Sequence, residues 1–210
     1  MTMLSSTWHT GIALLALALL GTSVLYAQEN TERPIRRHHI GSSAFVSFTF
    51  LLEESPDFYQ LNYGYRLTER DVLSIEAITW KYWAPIGIPY GPSKDDSEEE
   101  YPGYVQAFGV GAAYQRFVWR DIYVAAHALP LVQHYIDEAD ARIQSGFQLF
   151  LTGRLGYYIG FFNDRFFLEP SIAFTYWPIN TNLPKSFAAQ ENKWPNYFLF
   201  EPGLHFGVRF

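Results

Sequence analysis

The stretch EPGLHFGVRF (201–210) alternates without exception between two kinds of side chain. One face of the alternation is apolar, and the other is small, polar or charged. The apolar face carries Pro202, Leu204, Phe206, Val208 and Phe210, and the other carries Glu201, Gly203, His205, Gly207 and Arg209. A period of two residues is that of a β-strand. Such a strand separates an apolar environment from a polar one.

The same alternation recurs along eight segments that are divided by turn signals. These segments cover residues 40–52, 57–67, 71–84, 103–118, 121–135, 142–162, 165–178 and 196–210. Short polar turns at 67–71, 118–121 and 162–165 alternate with connections that are, on the whole, longer, at 53–57, 85–103, 136–142 and 178–196. In an up-and-down barrel, alternate connections lie at opposite ends, and an even number of strands returns both termini to one end. The pattern predicts an all-β fold, an eight-stranded antiparallel up-and-down barrel.

The orientation of the two faces predicts that this barrel spans a membrane. In the segment at 165–178, Phe166, Ile172 and Phe174 oppose Glu169 and Thr175. Eight strands leave a lumen only wide enough for side chains, so we expect the small and charged face inside and the apolar face towards lipid. The composition agrees, because charged residues make up 17% of the chain, against roughly 25% in typical globular proteins.

Aromatic residues near the segment ends predict the two interfacial girdles of a transmembrane barrel. These residues are Tyr82, Trp83, Tyr104, Trp119 and Trp177. The third segment is less regular, because Thr79 and Lys81 share a face with Leu73 and Ile75. This irregularity indicates a bulge or an error in the assignment of the segment.

The amino-terminal residues carry the pattern of an export signal. An apolar run at 11–21 is followed by Ala27 and a polar sequence, which predicts a signal peptide at 1–27. An uncleaved membrane anchor and a buried helix are the alternatives. We expect a periplasmic arm at 28–39 and the barrel at 40–210. The net charge of −6 argues against nucleic acid as a partner, and the lack of cysteine excludes disulfides and thiolate metal sites.

With this export signal, the eight alternating segments and an aromatic end, residues 40–210 resemble the small outer-membrane β-barrels of the OmpA/OmpX/OmpW kind. In that family, a final phenylalanine preceded by alternating apolar residues is read by the barrel assembly machinery, and Phe206, Val208 and Phe210 match this signal. The resemblance implies an outer-membrane location, a monomer, and outer-membrane lipids and lipopolysaccharide as partners. Members of this group range from passive anchors to enzymes, so the fold does not decide the function.

Five charged or titratable residues are expected inside the barrel. They are Arg154, Glu169, Glu201, His205 and His127. Because buried carboxylates need a cationic partner, we interpret this group as a salt-bridged plug. Proton or ion passage and a catalytic carboxylate pair are the functional alternatives. Pro170 and Pro202 directly follow the two glutamates and predict bulges or strand ends.

We therefore expect an integral outer-membrane protein with a structural, adhesive or narrow-pore role, without catalysis, cofactor or metal. The acidic run at 94–100 lacks the ligand spacing and turn glycine of a calcium loop, and we expect a solvated loop there. The alternative function is a lipid-modifying enzyme, a lipid A or phospholipid hydrolase or acyltransferase on the same barrel. It would need a histidine beside a serine and an acid, and neither His127 nor His205 has a serine two residues later. A soluble ligand-binding barrel, with its aromatic face turned inward, is the third class.

Overall fold

A computed structural model of the protein describes residues 36–43, 57–85 and 100–210. The predicted signal peptide, most of the predicted amino-terminal arm, the later part of the first predicted strand and the acidic run at 94–99 lie outside the described residues. No helix within the described ranges is long and apolar enough to cross a membrane.

Strands make up most of the described chain, and one short helix lies between the last two of them. In chain order the elements are β1 (His38–Ser43), β2 (Asp57–Arg66), β3 (Asp71–Tyr82), β4 (Tyr104–Trp119), β5 (Ile122–Ile136), β6 (Arg142–Tyr157), β7 (Ile159–Phe161), β8 (Phe166–Asn180), α1 (Lys185–Glu191) and β9 (Tyr197–Arg209). Neighbouring strands are antiparallel throughout, and β9 pairs with β1, so the sheet closes into a barrel.

The barrel has eight strands, as predicted, because β6 and β7 are two parts of one strand. Both pair with β8, and the pairs Gly156–Ser171 and Ile159–Leu168 belong to the same register. The interruption lies opposite Pro170, which has no N–H group to contribute to the ladder. The predicted irregularity at Pro170 is therefore a gap in pairing without a bulge.

A bulge does occur close to the second proline. The register between β8 and β9 shifts between Ala173 and Thr175. On the β9 side of this shift, Phe200 has a φ of 57°, a left-handed conformation that is uncommon for a bulky residue. The bulge thus precedes Pro202 by two residues, and Pro202 itself pairs in register with Ile172.

The first and last strands form the seam of the barrel. The backbone N–H of Phe210 donates to the carbonyl of His38 at 2.9 Å, and the N–H of His38 donates to the carbonyl of Phe210 at 3.0 Å. β1 begins at His38, two residues before the predicted barrel boundary. His38 and His39 are therefore part of the barrel wall and do not belong to the predicted arm.

The two faces of the sheet are oriented as the alternation predicts. On the outer face, Leu61 and Val110 are 59% and 62% exposed, whereas Glu76 and Gln148, on the inner face, are 4% and 2% exposed. In an ordinary soluble barrel the large apolar residues would fill the interior. Here most of the inner middle is polar, and the apolar side chains of the strands cover the outside.

The predicted irregularity in β3 is absent. β3 pairs in an unbroken register with β4 from Asp71 to Tyr82 and with β2 from Val72 to Lys81. Lys81 remains on the outer face at the end of the strand, where its Nζ lies 4.0 Å from the ring centroid of Tyr104 and 4.8 Å from that of Trp83. A lysine can share an apolar face in this way because its stem packs on carbon and its ammonium group meets aromatic rings.

Two aromatic layers fill the two ends of the lumen. The layer at the short-turn end consists of Val72, Phe117, Tyr123, Tyr158 and Phe167. The layer at the long-loop end consists of Tyr82, Tyr101, Val105, Ala107, Leu131, Tyr135, Phe150, Trp177 and Phe187. Two residues of the predicted girdles are thus inside the barrel, since Tyr82 and Trp177 are 6% and 2% exposed. Their strand parity, and not their position near a strand end, decides which way they point.

The helix α1 was not predicted from the sequence. It lies in the connection between β8 and β9, and its Phe187 is fully buried. The Phe187 ring stacks on Tyr101 with a centroid distance of 4.7 Å and meets the edge of Tyr135 at 5.5 Å. The helix therefore delivers one aromatic side chain into the long-loop layer.

Candidate functional site: the enclosed polar layer

Between the two aromatic layers, the lumen contains a polar layer around a small cavity. The cavity has a volume of about 30 Å³, enough for one or two water molecules. Its lining includes Glu76, His127, Arg154, Glu169 and His205, together with His39 from β1. Four of the five interior residues that the sequence predicts thus share one cavity.

Arg154 and Glu201 form the ion pair that the alternation predicts. Arg154 Nη2 lies 3.4 Å from Glu201 Oε1, and Arg154 Nη1 donates to the Ser171 hydroxyl at 2.9 Å. The hydroxyl of Thr175 donates to Glu201 Oε2 at 2.8 Å. The pair joins β6 to β9 across the intervening β8. Each charged group has an opposite charge and a neutral hydrogen-bond partner, which buried charges require.

Glu169 does not join this ion pair. Its Oε1 accepts a hydrogen bond from Gln115 Nε2 at 3.1 Å, across the lumen on β4. In the register of β8 and β9, Glu169 lies opposite His205. The predicted cluster therefore separates into two parts, an Arg154–Glu201 pair on one wall and a Glu169–Gln115 contact that spans the barrel.

The carboxylate that accompanies His127 was missed at the sequence level. His127 Nδ1 lies 3.1 Å from both carboxylate oxygens of Glu76. β3 and β5 flank β4, and the inner face of β4 carries only Gly111 and Ala113 beside this contact. These small residues leave room for the two side chains to meet. The signal was present in β3, where Glu76 has the opposite parity to Leu73 and Ile75.

Three buried nitrogen atoms of the polar layer lack a hydrogen-bond partner among the described residues. They are His127 Nε2, Arg154 Nε and His205 Nδ1, and all three residues line the cavity. A buried polar group without a partner costs about 1–3 kcal/mol. The cavity has the volume for the water that would satisfy them, so a hydrated polar layer is the arrangement that these groups favour.

A second ion pair closes the short-turn end. Arg209 Nη1 donates to Asp164 Oδ2 at 3.1 Å, and the Tyr158 hydroxyl donates to Asp164 Oδ1. The Arg209 guanidinium also lies 4.0 Å from the Tyr158 ring centroid. Asp164 belongs to the turn after β7, which contains three successive left-handed residues, Phe162, Asn163 and Asp164. These contacts hold the last strand against that turn.

The long-loop end contains a carboxyl group outside the strands. Glu191, at the end of α1, accepts hydrogen bonds from the Tyr101 hydroxyl and from Asn180 Nδ2, the latter at 3.2 Å. Burial raises the pKa of Glu191 above its ordinary value of 4.5, although hydrogen bonds from Tyr101, Trp177 and Asn180 oppose the change. The charged carboxylate is thus less favourable in the docked helix than in water.

This raised pKa predicts that α1 docks more firmly as the pH falls through the raised pKa of Glu191 towards the ordinary value of 4.5. The docked Glu191 takes up a proton at a pH where the undocked residue remains charged, so docking gains stability on acidification and loses it as the pH rises through the raised pKa. Hydrogen–deuterium exchange of residues 185–192, corrected for the intrinsic rate, measures this. Glu191→Gln should remove the dependence, and an unchanged pH slope in that variant would contradict the assignment.

The outer face carries a histidine–serine pair that sequence reasoning also missed. His134 Nδ1 lies 2.8 Å from Ser145 Oγ, on the neighbouring strands β5 and β6. No carboxylate in the described part of the chain hydrogen-bonds to His134. The inner pair of His127 and Glu76 has the complementary composition, since no hydroxyl of the described residues hydrogen-bonds to His127. Neither pair contains the serine, histidine and acid of a hydrolytic triad.

No family model matches the chain, and no curated protein or solved structure is detectably similar to it. The resemblance to the OmpA/OmpX/OmpW barrels therefore stays a prediction. Within the described ranges, no group of three or more histidine, cysteine or acidic residues is placed to hold a metal ion. The polar layer contains neutral and charged hydrogen-bonding groups. These groups suit it to link strands across the lumen and to bind a few water molecules.

Proposed function

We propose that the protein is an integral outer-membrane β-barrel with a closed lumen, and that its role is structural or adhesive and without catalysis. The observation that carries the proposal is the inverted distribution of side chains, in which the outer face of the strands is apolar and the enclosed layer is charged and polar. Monomeric soluble proteins rarely expose contiguous apolar patches larger than a few hundred Å². If the outer face lies in hydrocarbon, its apolar side chains are not exposed to water, and the free-energy cost of that exposure does not arise.

The closed sheet supports the same proposal. In hydrocarbon, each unsatisfied backbone N–H or C=O costs several kcal/mol, so only helices and closed barrels span membranes. The pairing of β9 with β1, and of β6 with β8, closes the sheet into a barrel. Three residues at the end of the chain, Phe206, Val208 and Phe210, are exposed on the outside of the seam, which is consistent with their proposed role as the signal for barrel assembly.

The two aromatic layers favour a structural role over conduction. Each layer fills the lumen at one end, and the cavity between them holds about 30 Å³. A conducting pore needs a continuous hydrated path, and eight strands leave little more than room for side chains. We propose that the barrel anchors and presents its longer connections at the surface of the outer membrane, where lipids and lipopolysaccharide are its neighbours.

A gel-shift experiment tests the membrane assignment. We expect the protein in the detergent-soluble outer-membrane fraction, with a different apparent mass on an unboiled gel than after boiling, because a closed barrel resists denaturation by detergent in the cold. Recovery of a monomer from the periplasm without detergent would contradict the proposal.

Reconstitution into planar bilayers tests conduction. We expect no steady conductance, and stable channels would favour the narrow-pore function instead.

The lipid-modifying enzyme is the competing class. Lipid profiles of cells that express the protein, His127→Ala or Glu201→Ala should be identical by mass spectrometry if the inner groups are structural. A lipid product that depends on His127 or Glu201 would favour the enzyme.

A further inference from the structure

Four polar side chains form a row across the outer face near the long-loop end of the barrel. The register pairs Lys81 with Gln106, Gln106 with His134, and His134 with Ser145, so one residue comes from each of β3, β4, β5 and β6. Neighbouring strands lie about 4.8 Å apart, and the row therefore spans about 14 Å. We call these four residues the outer polar row. Their side chains interrupt an outer face that is otherwise largely apolar.

The chemistry of the outer polar row is that of an anion site. Lys81 provides a positive charge, which the rings of Trp83 and Tyr104 hold at the outer surface. The hydrogen bond between His134 and Ser145 orients both side chains, and each retains capacity for a further hydrogen bond. Gln106, between Lys81 and His134, has an amide group with two donors. A phosphate group, with several acceptor oxygens and negative charge, complements this set.

An apolar groove lies directly beside the row, on the side towards the middle of the barrel. It is shallow and open to the outside, and it is lined by Phe108, Val110, Pro130, Val132 and Phe147, with Ile78, Gly109 and Leu131. Phe108, Val132 and Phe147 form the next outward row, two residues along each strand from Gln106, His134 and Ser145. The groove coincides with Pro130, beside which the β4–β5 ladder is interrupted between Gly109–Leu131 and Ala112–Ala128.

We propose that this site binds one lipid with a phosphate-bearing headgroup, with the phosphate on the outer polar row and an acyl chain in the groove. The relative position of the outer polar row and the groove favours a lipid, because the row lies towards the end of the barrel and the groove towards its middle. A lipid in a bilayer has the same order of headgroup and chain. The inference rests on the proposed function, since only a barrel in a bilayer meets lipid along this face.

Native mass spectrometry of the full protein, purified from membranes in detergent and titrated with phosphatidylglycerol, tests the site. We expect one retained lipid. Lys81→Gln should weaken its binding about tenfold, the effect of losing one charge-assisted contact, and Val132→Trp should weaken it by a similar factor because the indole fills the groove. Arg120→Gln is the matched control, since the Arg120 guanidinium also lies over an aromatic ring, that of Trp119, but at the short-turn end. It should bind as tightly as the unaltered protein.

Two further ligands separate the contribution of the headgroup to binding from that of the acyl chain. Diacylglycerol with the same chains should bind at least tenfold more weakly, and inorganic phosphate at millimolar concentration should not displace the lipid. Equal affinities for phosphatidylglycerol and diacylglycerol, or equal effects of Lys81→Gln and Arg120→Gln, would overturn the site. Each variant is first checked by the gel shift. A barrel that enters the membrane but retains no lipid overturns this inference alone, whereas a barrel absent from the membrane overturns the proposed function.

Discussion

Arg154→Leu is expected to destabilise the barrel by about 3–5 kcal/mol, the usual cost of leaving a buried charge without its partner. The substitution removes the ion pair with Glu201 and the hydrogen bond to Ser171. The Glu201 carboxylate then keeps only its contact with the Thr175 hydroxyl. Urea unfolding in detergent micelles, followed by tryptophan fluorescence and by the gel shift, measures the change.

The double variant Arg154→Leu/Glu201→Leu separates charge burial from packing. Removing both charges leaves neither of them unpaired, so most of the lost stability should return. Arg116→Gln serves as the control, because the pair of Arg116 and Asp71 lies at the surface and exposed ion pairs contribute little. A double variant as unstable as Arg154→Leu would show that the arginine acts through its packing.

Phe187→Ala is expected to loosen the long-loop end of the barrel. The ring is fully buried between Tyr101 and Tyr135, and truncating a buried phenylalanine costs about 3–5 kcal/mol. This free energy is lost from the docking of α1 and not from the strand ladders. The connection between β8 and β9 should therefore open roughly 150- to 5,000-fold more often, since each 1.36 kcal/mol is a factor of ten. Trypsin cleavage after Lys185 in the folded barrel measures this opening.

Phe187→Leu is the conservative comparison and should accelerate cleavage far less, since most of the buried apolar volume remains. The unboiled gel shift should persist in both variants because the wall of the barrel is unchanged. Equal cleavage rates for Phe187→Ala and the unaltered protein would contradict the role of Phe187 in holding α1 against the barrel.

The strands of this barrel were predictable because their signal is local. A period of two needs only the neighbouring residues, and the predicted segments from 57 onward begin and end within two residues of the observed strands. The same parity assigns Arg154, Glu201 and His205 to the inside. The girdle prediction failed for Tyr82 and Trp177 because it rested on position along the strand, whereas parity decides which face of the sheet a side chain occupies.

The side-chain contacts across the lumen could not be predicted from the individual strands. The pairing of His127 with Glu76 and of Glu169 with Gln115 depends on the stagger and tilt of the whole barrel, which set which inward residues meet. The helix α1 was missed for a related reason. Seven residues are too few for a helix to be stable by propensity alone, and its Pro184 cap makes no side-chain hydrogen bond. The burial of Phe187 holds it in place.

The seam joins residues that are far apart in the chain, since His39 pairs with Arg209, 170 positions later. The contacts between β1 and β9 therefore raise the contact order of the barrel, and a high contact order slows folding. Until β9 takes its place, β1 and the most recently formed strand both present unpaired backbone edges, the usual starting point of intermolecular association. We therefore expect this chain to associate with other chains unless those edges are shielded until β9 pairs with β1.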